Sequence, residues 1–153
     1  MLLGIISDTH GLLRPEALRA LREVKLILHA GDVGAPEILA ELKTIAPVFA
    51  VRGNVDTQSW AQELPSTSVV QAAGCSLYVL HNLQDLDLKP EASGFQAVIS
   101  GHTHQPEQQE RGGVLYLNPG SAGPRRFHLP VTLALLDLAC KPLRARILPL
   151  LPV

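Results

Sequence analysis

LLGIISDTHG (residues 2–11) sets a pattern that the first third of the chain repeats. Leu2–Ile6 is a short apolar run and reads as a buried strand. It gives way at once to a polar loop carrying Asp8 and His10. KLILHAGDVG (25–34) has the same grammar: an apolar run over Lys25–Ala30, then a Gly-bounded loop with Asp32. PVFAVRGNVD (47–56) repeats it with a strand at Pro47–Val51 and a loop carrying Asn54. Between these runs lie two amphipathic stretches. Pro15–Val24 puts Leu18, Leu21 and Val24 on one face, and Pro36 opens a second helix running to about Ile45. Proline suits both first turns. Strand, helix, strand, helix, strand predicts a parallel sheet.

After Ser59 the pattern changes. Ser68–Ala72 and Ser76–Leu80 flank Ala73-Gly74-Cys75 and read as a hairpin. Ala97–Ser100 is a further short strand, and Val114–Asn118 follows a Gly-Gly turn. Thr132–Asp137 and Leu143–Leu148 flank a turn containing Lys141-Pro142. The expected fold class is α/β, with two mixed β-sheets face to face and helices outside.

With 153 residues, 46% hydrophobic and 18% charged, the chain suits one globular domain over 1–153 with a sizeable core. The net charge of −1 and the lack of a basic stripe predict no nucleic-acid surface. Two distant cysteines, Cys75 and Cys140, argue against a disulfide framework and for a reduced, cytoplasmic setting. The start MLLGIISDTHG lacks the basic and apolar regions of a secretory signal. No apolar stretch is long enough to span a bilayer. The tail from Ile147 to Val153 is short, apolar and broken by prolines, so it is expected to pack or to meet a second copy.

Chemistry gathers at strand ends. Asp8 and His10 follow the first strand, Asp32 the second and Asn54 the third. His81 follows Ser76–Leu80, and His102 and His104 follow Ala97–Ser100. Sites in open α/β sheets form in the crevice beyond the carboxyl ends of strands. Asp8 and His10 are two apart, as are His102 and His104. If extended, each pair would face one centre. Carboxylate, imidazole and amide donors together suit a borderline divalent metal such as Mn, Fe, Zn, Ni or Co, rather than an all-oxygen calcium site or a thiolate zinc site. Two divalent ions, two Asp and one hydroxide leave about +1, a charge that draws an anion such as a phosphate ester.

These pieces carry a resemblance. SDTHG at 7–11, HAGDVG at 29–34, RGNVD at 52–56, LH at 80–81, SGHTH at 100–104 and NPGS at 118–121 resemble the small calcineurin-like metallophosphoesterases, the YfcE-type phosphodiesterases, over almost the whole chain. The resemblance implies a four-layer sandwich with helices outside two sheets. It also implies a dinuclear centre, with manganese the first expectation. Asp8, His10 and His104 would hold one metal, Asn54, His81 and His102 the other, and Asp32 would bridge. A bridging hydroxide would attack a phosphodiester, with Asp32, His81 and His102 at the catalytic core. Phosphomonoester hydrolysis, or a metal-binding protein scaffold of the retromer-subunit type, are the alternatives. A homodimer is the family expectation.

Two positions depart from the family. Larger members carry a His after the site Asn, where this chain has Val55. Gly usually follows the site His, where this chain has Asn82. Of the other polar residues, His29 reads as a core or supporting group, Asp56 as a loop-orienting group and His128 as surface. Arg125, Arg126 and Arg52 read as solvated loop residues, with phosphate contact as the sharper alternative. Cys75 reads as a turn or core residue.

Overall fold

The computed structural model describes residues 1–152. In chain order the elements are β1 (Leu2–Ile6), α1 (Pro15–Ala20), β2 (Leu26–His29), α2 (Pro36–Leu42), β3 (Val48–Ala50), β4 (Thr67–Ala72), β5 (Cys75–Leu80), β6 (Ala97–Ile99), β7 (Glu107–Arg111), β8 (Val114–Asn118), β9 (Thr132–Asp137) and β10 (Ala145–Pro149). Both helices end earlier than the apolar spacing predicts. Their C-terminal residues continue as turns, with Leu21 and Ile45 still packed on the core.

Ten strands form two five-stranded mixed sheets. In the first the order is β10-β9-β1-β2-β3. The three repeated runs pair in parallel, and the β9–β10 hairpin adds antiparallel beside β1. In the second the order is β4-β5-β6-β8-β7, with a parallel centre and antiparallel edges.

Alternation decides which face each side chain takes. Leu3, Ile5 and Leu28 of the first sheet meet Leu77, Val79, Ile99 and Leu117 of the second in the central core. Each such side chain contributes roughly 1.5–3 kcal/mol on full burial. Ile6, Ile27, Leu133 and Leu135 point the other way, under Leu21 and the α2 residues Ile38, Leu39 and Leu42.

The outer face of the second sheet is covered differently. Tyr78, Leu80, Val98 and Val114 lie under Leu83, Leu86, Leu88 and Phe95. That covering segment holds a single 3₁₀ turn at Leu83–Asp85 and no α-helix. The fourth layer is therefore a strap, and helices flank only the first sheet. β7 is the one strand the apolar pattern does not announce. Its sequence, Glu-Gln-Gln-Glu-Arg, is polar on both faces and almost wholly exposed. It forms an edge strand through the Gly112–Gly113 turn into β8. At the tail, Leu148 and Leu150 pack on the helix-side core; Val153 lies outside the described residues. No described helix is long and apolar enough to cross a membrane.

Candidate metal centre

Parallel pairing puts the ends of β1, β2 and β3 at one edge of the first sheet, and β5 and β6 end against them. Asp8 N–H donates to the Gly31 carbonyl, His10 N–H to that of Asp32, and Gly101 N–H to that of His81. The loops are thus hydrogen-bonded to each other. They are also strained. Asp8, His10, Asp32, His102 and His104 have φ of 55, 46, 54, 74 and 64°. Left-handed backbone costs a non-glycine residue about 1–3 kcal/mol and concentrates at functional sites. Asp and His tolerate it better than most residues.

The strain corrects one expectation. His102 and His104 do not share a centre through extended backbone. Both positions are left-handed, as are Asp8 and His10, so the extended backbone expected for each pair is absent. The His104 ring lies 5.2 Å from that of His10, and the His102 ring 5.1 Å from that of His81.

At the centre stand two carboxylates. Asp8 is fully buried. Its Oδ2 accepts from Ser7 Oγ at 2.7 Å and from the His102 N–H at 3.1 Å. Its Oδ1 is left facing His104 Nε2 at 3.4 Å, His10 Nε2 at 3.8 Å and His81 Nε2 at 3.9 Å. Asp32 Oδ1 accepts from the Val55 N–H at 3.0 Å. Its Oδ2 lies between His81 Nε2 at 3.2 Å and His10 Nε2 at 3.6 Å. Two groups could each hold a metal ion: Asp8, His10 and His104; and Asp8, Asp32 and His81. Asn54 and His102 line the same cleft as His81.

The donor atoms fit a cation. Among the described residues, Asp8 Oδ1, His81 Nε2 and His104 Nδ1 are buried with no hydrogen-bond partner. Orphaned buried polar atoms are rare and costly. Two of the three, Asp8 Oδ1 and His81 Nε2, face the centre, where a divalent ion would satisfy them.

Protonation follows the same geometry. Burial alone would raise the Asp32 carboxyl, but contact with His81, the Val55 N–H and the neighbouring imidazoles outweigh it and hold it at about 2. Burial would likewise raise Asp8; His104, Ser7 and His81 bring it below the ordinary carboxylate range. Burial pulls His10 down. For His81, burial is outweighed by Asp32 and the Ala30 carbonyl, and its pKa is raised.

A supporting layer fixes these loops. His29 is fully buried. Its Nδ1 accepts from the Gly31 N–H at 3.1 Å, so its Nε2 donates to Thr9 Oγ1 at 3.0 Å. Burial pushes its pKa down to about 4. Asp56 accepts three backbone N–H groups, from Val33, Gly34 and Gly53. Both act as the sequence predicts, beside the centre and not in it.

Three supports carry no sequence signal of their own: Ser7, Asn118 and Ser121. Asn118 Nδ2 donates to the Gly101 carbonyl and to Thr103 Oγ1, clamping the His102–His104 loop. Ser121 Oγ donates to the Asp8 carbonyl. The NPGS match at 118–121 pointed to this segment without giving its role. Two glycines are fixed by close approach: a Cβ at Gly53 would overlap the Asp32 backbone, and one at Gly101 would overlap Ser7 Oγ. Arg125 reaches the Pro152 carbonyl, and Arg125, Arg126 and His128 are exposed. Cys75 is buried at the start of β5.

Comparison with known proteins agrees with this geometry. The calcineurin-like phosphoesterase superfamily domain matches residues 1–141. A probable metallophosphoesterase of Methanothermobacter thermautotrophicus is 40% identical over 147 residues, covering 88% of this chain and 85% of its own. The structure of an archaeal phosphodiesterase superposes with a TM-score of 0.81 at 25% identity, covering 97% of this chain and all of its own. Vps29 of Chaetomium thermophilum shares the fold, with a TM-score of 0.77 at 17% identity over 97% of this chain and 96% of its own. The chain belongs to the calcineurin-like phosphoesterase superfamily, and it is a metal-dependent phosphoesterase.

Proposed function

We propose that the chain hydrolyses small phosphodiesters with two divalent transition-metal ions, manganese in the first instance. In this reading Asp8, His10 and His104 hold one ion, Asn54, His81 and His102 the other, and Asp32 both. One observation carries it: Asp8 Oδ1 and His81 Nε2 are buried, unpartnered and 3.9 Å apart, in the space that Asp32 Oδ2 also faces. When bound, such a pair of ions supplies a nucleophilic water of lowered pKa and positive charge for the phosphoryl oxygens.

The chain's own residues do the rest. His81 Nδ1–H donates to the Ala30 carbonyl, which leaves Nε2 free to coordinate. Val55 N–H aims Asp32, and Ser7 with the His102 N–H aims Asp8. Ligand orientation is thus set before any ion arrives, which is how supporting bonds raise affinity. Two Asp charges against two divalent ions leave the centre positive and selective for anions. His102, exposed at the cleft, is placed to touch a phosphoryl oxygen.

The test is to strip the protein with chelator, restore Mn²⁺, and assay bis(p-nitrophenyl) phosphate beside p-nitrophenyl phosphate, with Asp32→Ala in parallel. Metal-dependent turnover of the diester, weak on the monoester and lost in the variant, is expected. A faster monoester reaction would move the assignment to phosphomonoesters. Turnover of neither ester with Mn, Ni, Co or Zn would overturn the hydrolytic reading in favour of a scaffold.

A further inference from the structure

A cavity of about 480 Å³ opens beside His102, on the outer face of the second sheet. Its wall includes Asn82, His102, Glu107, Gln109, Arg111 and Tyr116. Glu107, Gln109 and Arg111 are alternate residues of β7. Their intervening neighbour Gln108 turns to the other face, where its amide pairs with both the N–H and the carbonyl of Ala145. The two-residue period of the strand therefore delivers three polar side chains to this cavity and one to the inter-sheet seam.

Arg111 is held in place. Its guanidinium carbon stands 4.8 Å from the centroid of the Tyr116 ring, and its Nη2 donates to Gln109 Oε1 at 3.0 Å. A guanidinium fixed over an aromatic ring offers a flat, weakly hydrated face, and such planes stack on heteroaromatic rings. Around it lie amide groups with spare capacity. Asn82 uses its Oδ1 on the Gln84 N–H, and Gln109 uses its Oε1 on Arg111. Their NH₂ groups have no hydrogen-bond partner among the described residues, and Gln84 adds a complete amide to the same wall. Asn and Gln amides match the paired donor and acceptor edges of heterocyclic bases. Glu107 and Arg111 cancel in charge, so the cavity is neutral while the adjoining metal centre favours an anion.

We propose that this cavity seats a nucleobase-like planar heteroaromatic group on one ester arm of the substrate, stacked on the Arg111–Tyr116 pair while the phosphorus lies at the centre beside His102. The proposal rests on the phosphodiesterase reading for where the phosphorus sits. It also gives the polar sequence of β7 a use, and it gives Asn82, the departure from the family pattern, a place in the substrate wall.

Two measurements test it. The first compares methyl p-nitrophenyl phosphate with thymidine 5′-(p-nitrophenyl phosphate) in the Mn²⁺-loaded protein. The wild type is expected to show a KM about tenfold lower for the nucleotidyl ester, the scale of one stacked base. Arg111→Ala removes that advantage, read as the ratio of the two esters' KM values within each protein, while leaving the metal content unchanged. Arg111→Lys, which keeps the charge and loses the plane, does not restore it. The second is binding of thymidine 5′-monophosphate to the metal-free protein by NMR, expected in the wild type and lost in Arg111→Ala.

Equal KM values for the two esters in the wild type would overturn the proposal. So would nucleotide binding that ignores Arg111. If no ester is turned over but Arg111-dependent binding persists, the cavity assignment stands and the phosphodiesterase reading falls.

Discussion

His81 Nδ1 lies 2.7 Å from the carbonyl oxygen of Ala30, a contact across two sheets that decides which imidazole nitrogen faces the centre. A carbonyl only accepts, so Nδ1 carries a proton and Nε2 is left to act as a ligand. Below the raised pKa of His81, an incoming cation must displace a proton from Nε2. His81→Ala is expected to lower metal stoichiometry by one ion and activity by at least the roughly 10–100-fold typical of disturbed metal sites. In the wild type, metal affinity rises with pH through the range where His81 titrates. Calorimetry in buffers of different ionisation enthalpy reads the released proton directly. Unchanged stoichiometry in the variant would remove His81 from the ligand set.

Asp56 ties together the loops that carry Asp32 and Asn54, through the N–H groups of Val33, Gly34 and Gly53. It is almost fully buried. Asp56→Ala leaves three donors unpaired, at about 1–3 kcal/mol for each one that water cannot reach. A chain of this size loses roughly 2–4 °C of Tm per kcal/mol. The expected result is a drop of several degrees together with weaker metal retention. Asp56→Asn, which keeps a single acceptor oxygen, falls between. A stable variant with unaltered metal binding would contradict the tethering role.

How much of this was readable follows residue by residue. Leu2–Ile6, Lys25–Ala30 and Thr132–Asp137 are apolar on both faces because both faces are covered, and so they stand out. β7 does not, because an edge strand with a polar cavity on one face and Gln108 bonded to the Ala145 backbone on the other has no apolar period to show. The 83–95 strap escapes for another reason: Leu83, Leu86, Leu88 and Phe95 cover the sheet without a helical repeat. At the site, Asp8, His10, Asp32 and His104 are legible by residue type and by position after a strand. Ser7, Asn118 and Ser121 are not, since a lone Ser or Asn in a loop says nothing of what it faces until the chain has folded. The left-handed backbone at Asp8, His10, His102 and His104 was hidden as well, since residue type alone does not announce it.

His29 makes the metal-free protein acid-sensitive. The native state keeps it neutral down to about pH 4, whereas in the unfolded chain it takes up a proton near its ordinary value of about 6.5. Its contribution is therefore complete above pH 6.5 and is lost progressively as the pH falls towards 4. The full change is about 3 kcal/mol on the scale of 1.4 kcal/mol per tenfold. His81 acts in another window: its raised pKa favours the folded state at acid pH and stops doing so above that pKa. Urea titrations of chelated protein between pH 4 and 7 are expected to give a rising stability curve. His29→Gln can still accept from Gly31 and donate to Thr9 but does not titrate, and it should flatten the curve. An identical slope in the variant would assign the acid sensitivity elsewhere.

The reaction itself should depend steeply on the leaving group. Val55 follows Asn54 at the rim of the site, is 45% exposed, and has no proton to give. Proton donation to a departing oxygen is worth about 10²–10⁴-fold, and it matters most when that oxygen leaves as a poor, strongly basic alkoxide. A p-nitrophenolate needs little help. For a series of methyl aryl phosphodiesters, log kcat/KM is therefore expected to fall steadily as the phenol pKa rises, with alkyl esters slower than p-nitrophenyl esters by at least about 10²-fold. Val55→His puts an imidazole in that position. It should flatten the dependence, help the poorest leaving groups most, and leave p-nitrophenyl esters nearly unchanged. A shallow dependence already present in the wild type would mean that a group other than residue 55 protonates the leaving oxygen.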